Sequence, residues 1–145
     1  RPPRSTLFPY TTLFRSEGGT ESVYYGLQTN VKSDDTFDAM LIAPDGTVKI
    51  LAVRNYDFNL LYDSADPINT MAPFYSNISN TLSVHRYIDS GTGQEVFEYA
   101  MNGQILVRIS YGQPDGLAND MGLMVYLDAQ GTHTRIAFDN FNIDR

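Results

Sequence analysis

Cysteine and tryptophan are absent from the 145 residues, lysine and arginine together number only 10, and no apolar run is long enough to span a bilayer. Without thiols the chain can build no disulfide, zinc-thiolate site, iron-sulfur cluster or cysteine nucleophile, so any chemistry falls to oxygen and imidazole groups. The few bases stand against 17 acids, a formal charge of −7. That balance opposes binding to nucleic acid or anionic lipid, because phosphate attraction needs a basic surface. A spanning helix needs about 20 consecutive apolar residues, and the first residues do not follow the basic, apolar, small-residue order of a signal peptide. The expected partners therefore include no nucleic acid, and no membrane insertion is expected. What the chain does have is 42% hydrophobic residues, with 10 Tyr and 8 Phe, enough for about one globular domain.

Residues 1–16, RPPRSTLFPYTTLFRS, hold three Arg, three Pro and no acid. The string resembles the one-frame translation of a common short-read sequencing adapter, with every codon in agreement. Residues 1–16 are accordingly expected to be an adapter-derived artefact lying outside the folded core, as a tag would. The remainder, 17–145, then holds all 17 acids and seven of the 10 bases, a charge of −10. Its natural start is expected to lie upstream of Glu17.

From residue 17 onward apolar and polar residues alternate with period 2, and turn residues interrupt them every 8 to 12 positions, the pattern of short antiparallel strands. Strands are expected over 22–29, 36–43, 47–54, 81–88, 94–101, 104–110, 121–128 and 133–143, with a short one near 59–63. In 36–43, Phe37, Ala39 and Leu41 share one face while Met40 and Ile42 share the other, so both faces read as buried. Pro44-Asp45-Gly46-Thr47 and Asn102-Gly103 predict hairpin turns, since Pro fixes φ and Gly accepts positive φ. Residues 64–80, with Pro67 and Pro73, predict a surface loop. In the last strand the apolar phase switches between Ile136, Phe138 and Phe141, Ile143, which predicts a β-bulge at Asp139-Asn140. An all-strand chain of this kind closes its apolar face by stacking two sheets.

The order of Tyr25-Gly26-Leu27, Asp35-x-Phe37, Leu41-Ile42-x-Pro44-Asp45-Gly46, Asn80-x-Leu82-x-Val84, Asn102-Gly103-Gln104 and a terminal Phe138-Asp139-Asn140-Phe141 resembles the concanavalin A-like lectin/glucanase superfamily. More narrowly it is similar to the laminin G-like jelly-roll domains of bacterial surface proteins. The resemblance covers 17–145 and implies an all-β, two-sheet antiparallel β-sandwich of the concanavalin A-like jelly-roll type, in an extracellular or cell-surface setting. Family members usually carry several strands before the Tyr-Gly-Leu strand, so the resemblance also implies a domain lacking its opening strands.

Glucanases of this superfamily place two carboxylates on one strand as E-x-D-x-x-E or E-x-D-x-E, because acid and nucleophile must face one groove about 5 to 5.5 Å apart. No such string occurs. Glu95 and Glu98 come nearest, but a separation of three puts them on opposite faces of a strand. His85 and His133 lack a companion motif, and no catalytic residue is assigned. Asp34, Asp35 and Asp38 crowd one turn, and Asp115 to Asp120 offers the hard oxygen ligands that calcium takes, without EF-hand spacing. Turn formation and solubility are the first reading of both groups and a calcium site is the alternative; no metal ligand or cofactor is assigned.

Aromatic residues next to turns carry the remaining signal: Tyr56 and Phe58 in Asn-Tyr-Asp-Phe-Asn, then Tyr62, Tyr75 and Tyr111. Sugar rings pack C–H faces on such side chains while nearby Asp and Asn meet the hydroxyls. The alternative role is to cap the open end of the sandwich. The expected function is a non-catalytic module that binds carbohydrate or a surface protein within a larger secreted or surface protein. The alternatives are a glycoside hydrolase of 3-keto-glycoside or glucanase type, its catalytic residues lost or unrecognised, and an architectural spacer.

Overall fold

The computed structural model describes residues 7–16, 23–75, 78–113, 120–127 and 136–143, with side chains for 24–75, 78–113 and 121–126. These residues form strands without helix: β1 (Leu7–Ser16), β2 (Val23–Ser33), β3 (Thr36–Ile42), β4 (Val48–Arg54), β5 (Asp57–Asp63), β6 (Asn80–Ile88), β7 (Glu95–Met101), β8 (Gln104–Tyr111), β9 (Asp120–Leu127) and β10 (Ile136–Ile143). One sheet runs β10-β1-β6-β7-β8 and the other β5-β4-β3-β2-β9. Every paired neighbour is antiparallel. This is the expected all-β, two-sheet antiparallel β-sandwich.

Alternation decides which side chains enter the core. From one sheet come Tyr25, Leu27, Met40, Ile42, Val48 and Ile50; from the other Leu82, Val84, Phe97, Tyr99 and Met101, all buried in one cluster. Each such side chain contributes about 1.5 to 3 kcal/mol by leaving water. The turns follow the sequence. Gly46 has φ of 92° and donates its N–H to the Ala43 carbonyl at 2.9 Å, and Asn102 and Gly103 both have positive φ, 49° and 80°, as a type I′ hairpin demands. The loop after β5 is pinned by Asn80, whose side chain accepts from the Tyr75 N–H and donates to the Tyr75 carbonyl, each at 2.8 Å.

Two expectations are corrected. Residues 1–16 do not all stand apart: Leu7–Ser16 pairs with β6 on one side and β10 on the other. Threonines and aromatics suit a strand whatever their codons resemble, and the ladder is irregular between Leu7 and Pro9, where proline has no N–H to give. Secondly, β5 begins at Asp57, because Asn55 and Tyr56, with φ of 51° and 66°, make a two-residue turn that the sequence does not announce. The expected bulge is present. Thr11 pairs with Asn142 and Leu13 with Asp139, so three steps of β10 oppose two of β1.

The sheets are also tied by polar groups. A bulge in β2 holds Asn30 at φ of 50°, from which it donates to Asp38 Oδ2 at 2.9 Å. The Tyr111 hydroxyl of the opposite sheet donates to the same oxygen at 2.7 Å, and Arg54 Nη2 donates to Asp38 Oδ1 at 2.8 Å. Nearby, the Thr29 and Tyr99 hydroxyls lie 3.0 Å apart. A fully buried carboxylate survives in this position because three donors replace its water.

Candidate functional site

The outward face of the β5-β4-β3-β2-β9 sheet should meet solvent, yet its centre is buried. Phe37, Ala39, Leu41 and Val53 form a second apolar cluster on this face, with Ala39 at 0% and Leu41 at 3% exposure. The parity of β3 and β4 puts them there, opposite Met40 and Ile50. Tyr24, Val31, Leu51 and Met124 pack against them, and the curvature of the sheet brings further side chains close. Phe58, near the start of β5, and Tyr126, near the end of β9, occupy diagonal corners, and five strands in a flat sheet would hold the two edges about 19 Å apart. Their ring centroids are instead 6.5 Å apart. Right-handed twist brings diagonal corners together, and the two side chains span the remaining gap. Tyr24, on the strand beside β9, lies 6.5 Å from Tyr126 on its other side.

The result is a concave groove with a volume of about 350 Å³. Its floor is Phe37, Ala39, Leu41, Leu51 and Val53, and its rim is Tyr24, Phe58, Leu60, Met124 and Tyr126. Phe37, Ala39, Leu41 and Val53 are buried, Leu51, Tyr24 and Met124 are partly buried, and Phe58 at 60%, Leu60 and Tyr126 at 38% are exposed. Lys49 is the one charged residue among the described lining residues. Its ammonium lies 3.9 Å from Asp63 Oδ2 and 5.6 Å from the centre of the Tyr24 ring, so one end of the groove carries a donor and an acceptor side by side. The arrangement offers aromatic faces for stacking, an apolar floor and a polar end where the Asp63 carboxylate sits beside Lys49.

The five aromatics singled out in the sequence do not share this site. Phe58 lies on the groove. Tyr56 is 71% exposed in the β4-β5 turn and Tyr75 is exposed in the long loop. Tyr62 is buried at 3%, and its hydroxyl donates to the Thr70 carbonyl. Tyr111 packs edge-on against Phe97 at 5.6 Å while donating to Asp38. Burial raises the Tyr62 and Tyr111 hydroxyl pKa values, with the neighbouring Asp63 and Asp38 charges adding to the effect. These two rings act inside the sandwich, and the capping role fits them. The sequence does not set Tyr24 and Tyr126 apart from other strand residues. Each alternates with an inward residue on its strand, a signal present in the sequence, but nothing local shows that two distant edges meet.

The acids and histidines are dispersed. Glu95 is buried and paired with Arg86, whereas Glu98 faces outward and accepts from Arg108 Nε at 2.7 Å, on opposite faces of β7 as their spacing requires. His85 sits across from Glu98 with its ring 5.2 Å from Tyr87; His133 lies outside the described residues. Asp38 is turned inward, and Asp35 accepts from the Ser33 and Thr36 hydroxyls, bonds that lower its pKa. Among the described residues no three acids or histidines converge on a metal position. Asp115 to Asn119 lie outside them, as does the side chain of Asp120.

No protein-family model matches the chain, and no curated protein matches it. Among solved structures it is similar to the carbohydrate binding module CBM66 from Bacillus subtilis, with 13% sequence identity and a TM-score of 0.60 over 95% of this chain and 73% of that one. At that identity the likeness is one of fold.

Proposed function

We propose that this domain is a non-catalytic carbohydrate-binding module of a larger secreted or surface protein, and that it takes its ligand on the concave face of the β5-β4-β3-β2-β9 sheet. One observation carries the reading: two edge strands are drawn together until Phe58 and Tyr126 roof a groove beside the Lys49 and Asp63 pair. Stacking on exposed rings and hydrogen bonding to a paired donor and acceptor are the two contacts a sugar needs. The fold shared with a carbohydrate binding module supports it. Glycoside hydrolysis in this groove has no carboxylate pair to use among the described residues, and a spacer has no need of exposed rim aromatics. A surface-protein ligand is the second reading, favoured by the exposed apolar side chains Phe58 and Leu60 on edge strand β5.

The test is a glycan array probed with the full chain and with a Phe58→Ala, Tyr126→Ala double variant. Binding to one or more glycans that the double variant loses is expected. Glycan binding that the double variant retains would remove the groove from the reading, and no binding across the array would favour the protein ligand.

A further inference from the structure

The outward face of the opposite sheet carries rings and a paired donor and acceptor of its own. Alternation on β6 and β7 sends Val84, Phe97 and Tyr99 into the core and so turns His85, Tyr87 and Glu98 outward. In register, His85, Glu98 and Arg108 form one row across β6, β7 and β8, with Tyr87 in the neighbouring row. The His85 and Tyr87 rings lie 5.2 Å apart with 32° between their planes, both half-buried. Beside them Glu98 accepts from Arg108 Nε at 2.7 Å. The Arg108 side chain is 54% exposed, and with Nε engaged it keeps its Nη donors for a ligand. Glu98 chiefly, and Tyr87 to a lesser extent, raise the Arg108 pKa, which places the phenol hydroxyl by the same guanidinium.

We propose that this face is a second glycan site, for a neutral oligosaccharide that lays a C–H face on the His85 and Tyr87 rings and shares adjacent hydroxyls between Arg108 and Glu98. The proposal rests on the reading of the domain as a carbohydrate module and adds to the groove a site on the other sheet. Strand pairing alone accounts for Glu98 opposite Arg108, a contact of about 0.2 to 1 kcal/mol, but it has no need of two rings alongside. A sugar uses both. Guanidinium donors and a carboxylate acceptor serve neighbouring hydroxyls at once. The pair is already neutral and the chain carries −7, so an acidic sugar would have to displace Glu98 and approach an acidic protein. The two sites face opposite ways across sheets stacked about 10 Å apart, so one short glycan cannot reach both. The domain therefore bridges two glycan strands, and a polysaccharide engaged on both faces is held more tightly than by either alone.

The experiment is calorimetric titration of the full chain with the neutral hexasaccharides of glucose, galactose, mannose, xylose and fructose and with hexagalacturonate, beside light scattering from the parent polysaccharides. Two hexasaccharides per chain are expected for at least one neutral sugar, with amide shifts at Tyr87, Glu98 and Arg108 as well as at Phe58 and Tyr126. The matching polysaccharide should scatter light as the domain cross-links it. Tyr87→Ala with Arg108→Gln should bring the stoichiometry to one, abolish the scattering and leave the groove shifts in place. Arg108→Gln alone, a change at an exposed side chain, should weaken this face about fivefold. One sugar per chain with shifts in the groove only would overturn the second site and leave the carbohydrate module standing. Shifts at Tyr87 and Arg108 only would uphold this face and remove the groove. Hexagalacturonate binding here as tightly as the neutral sugars would overturn the neutral ligand. Failure of every sugar to bind would sink both readings together.

Discussion

Phe58 and Tyr126 belong to the two edge strands of one sheet, β5 and β9, with three strands between them, and their ring centroids are 6.5 Å apart. This contact draws the two edges of a twisted sheet together over a face whose centre, at Ala39 and Leu41, is buried against Tyr24, Val31, Leu51 and Met124. An apolar face of that size left open would invite association.

The inter-sheet tie at Asp38 predicts an asymmetric response to small changes. Tyr111→Phe keeps the ring against Phe97 and removes only the 2.7 Å hydrogen bond to the buried carboxylate. It should cost about 1.5 to 3 kcal/mol, the range for a hydrogen bond to a charged group. Urea unfolding checks this. A loss below about 0.5 kcal/mol would mean that Arg54 and Asn30 satisfy Asp38 by themselves.

Tyr56 should be a stabilising site for glycine. It holds φ of 66° in a two-residue turn while 71% exposed, so it bears left-handed strain of about 1 to 2 kcal/mol with little packing in return. Glycine removes the strain and adds an entropic cost of about 0.5 to 1 kcal/mol. Tyr56→Gly is therefore expected to raise stability by roughly 0.5 to 1 kcal/mol and to leave ligand affinity unchanged. A lower melting temperature would show that the ring makes contacts the turn depends on.

Gly26 is the opposite case. A Cβ added there would lie 1.9 Å from the Met40 carbonyl oxygen, a backbone atom that cannot step aside without breaking the β2-β3 ladder. Gly26→Ala should cost at least ~2 kcal/mol. Gly103, at φ of 80° with open space around it, should lose only the conformational term of about 1 kcal/mol when changed to Ala. Equal effects from the two variants would contradict this ordering.

Much of this was legible in the chain and some of it could not be. The alternation of Phe37, Ala39 and Leu41 with Met40 and Ile42 announces a strand buried on both faces, and Asn102-Gly103 announces its hairpin, because each rests on neighbours in sequence. The bulge before Asn142 is legible for the same reason. Phe58 reads as a loop residue only because a tyrosine at positive φ is a poor signal for the turn that precedes it. Tyr62 and Tyr111 read as turn-side aromatics since Asp63-Ser64 and Gly112 follow them, but a phenol can bury its ring once a carbonyl or carboxylate takes its hydroxyl. The meeting of Phe58 with Tyr126 depends on twist accumulated over five strands, which no local pattern encodes. The strand made by Leu7–Ser16 is hidden for a different reason. Codon resemblance concerns where a segment comes from, and pairing depends only on what its residues are.

Alkaline pH should unfold the protein cooperatively. Burial raises the hydroxyl pKa of Tyr25 to about 12 and that of Tyr99 well above its usual value, with the Asp38 charge adding to the latter. The folded state thus keeps protons that the unfolded chain releases near about pH 10. Stability from these groups is whole below about pH 10 and is lost as the pH climbs through the folded values. Circular dichroism melts from about pH 8 to 12 should show a falling midpoint above about 10, together with tyrosinate absorbance that rises with unfolding. A midpoint flat to about pH 12 would contradict it.

Amide chemical-shift mapping of the labelled full chain during titration with a glycan that it binds on the array bears most directly on the ligand groove. On that sheet the account predicts shifts concentrated on Ala39, Leu41 and Leu51 in the floor and on Phe58 and Tyr126 in the roof, with the turn at Tyr56 and the loop at Tyr75 unmoved. Shifts gathered at Tyr56 and Tyr75 while Ala39 and Leu51 stay still, or no shifts at any of these positions, would contradict it.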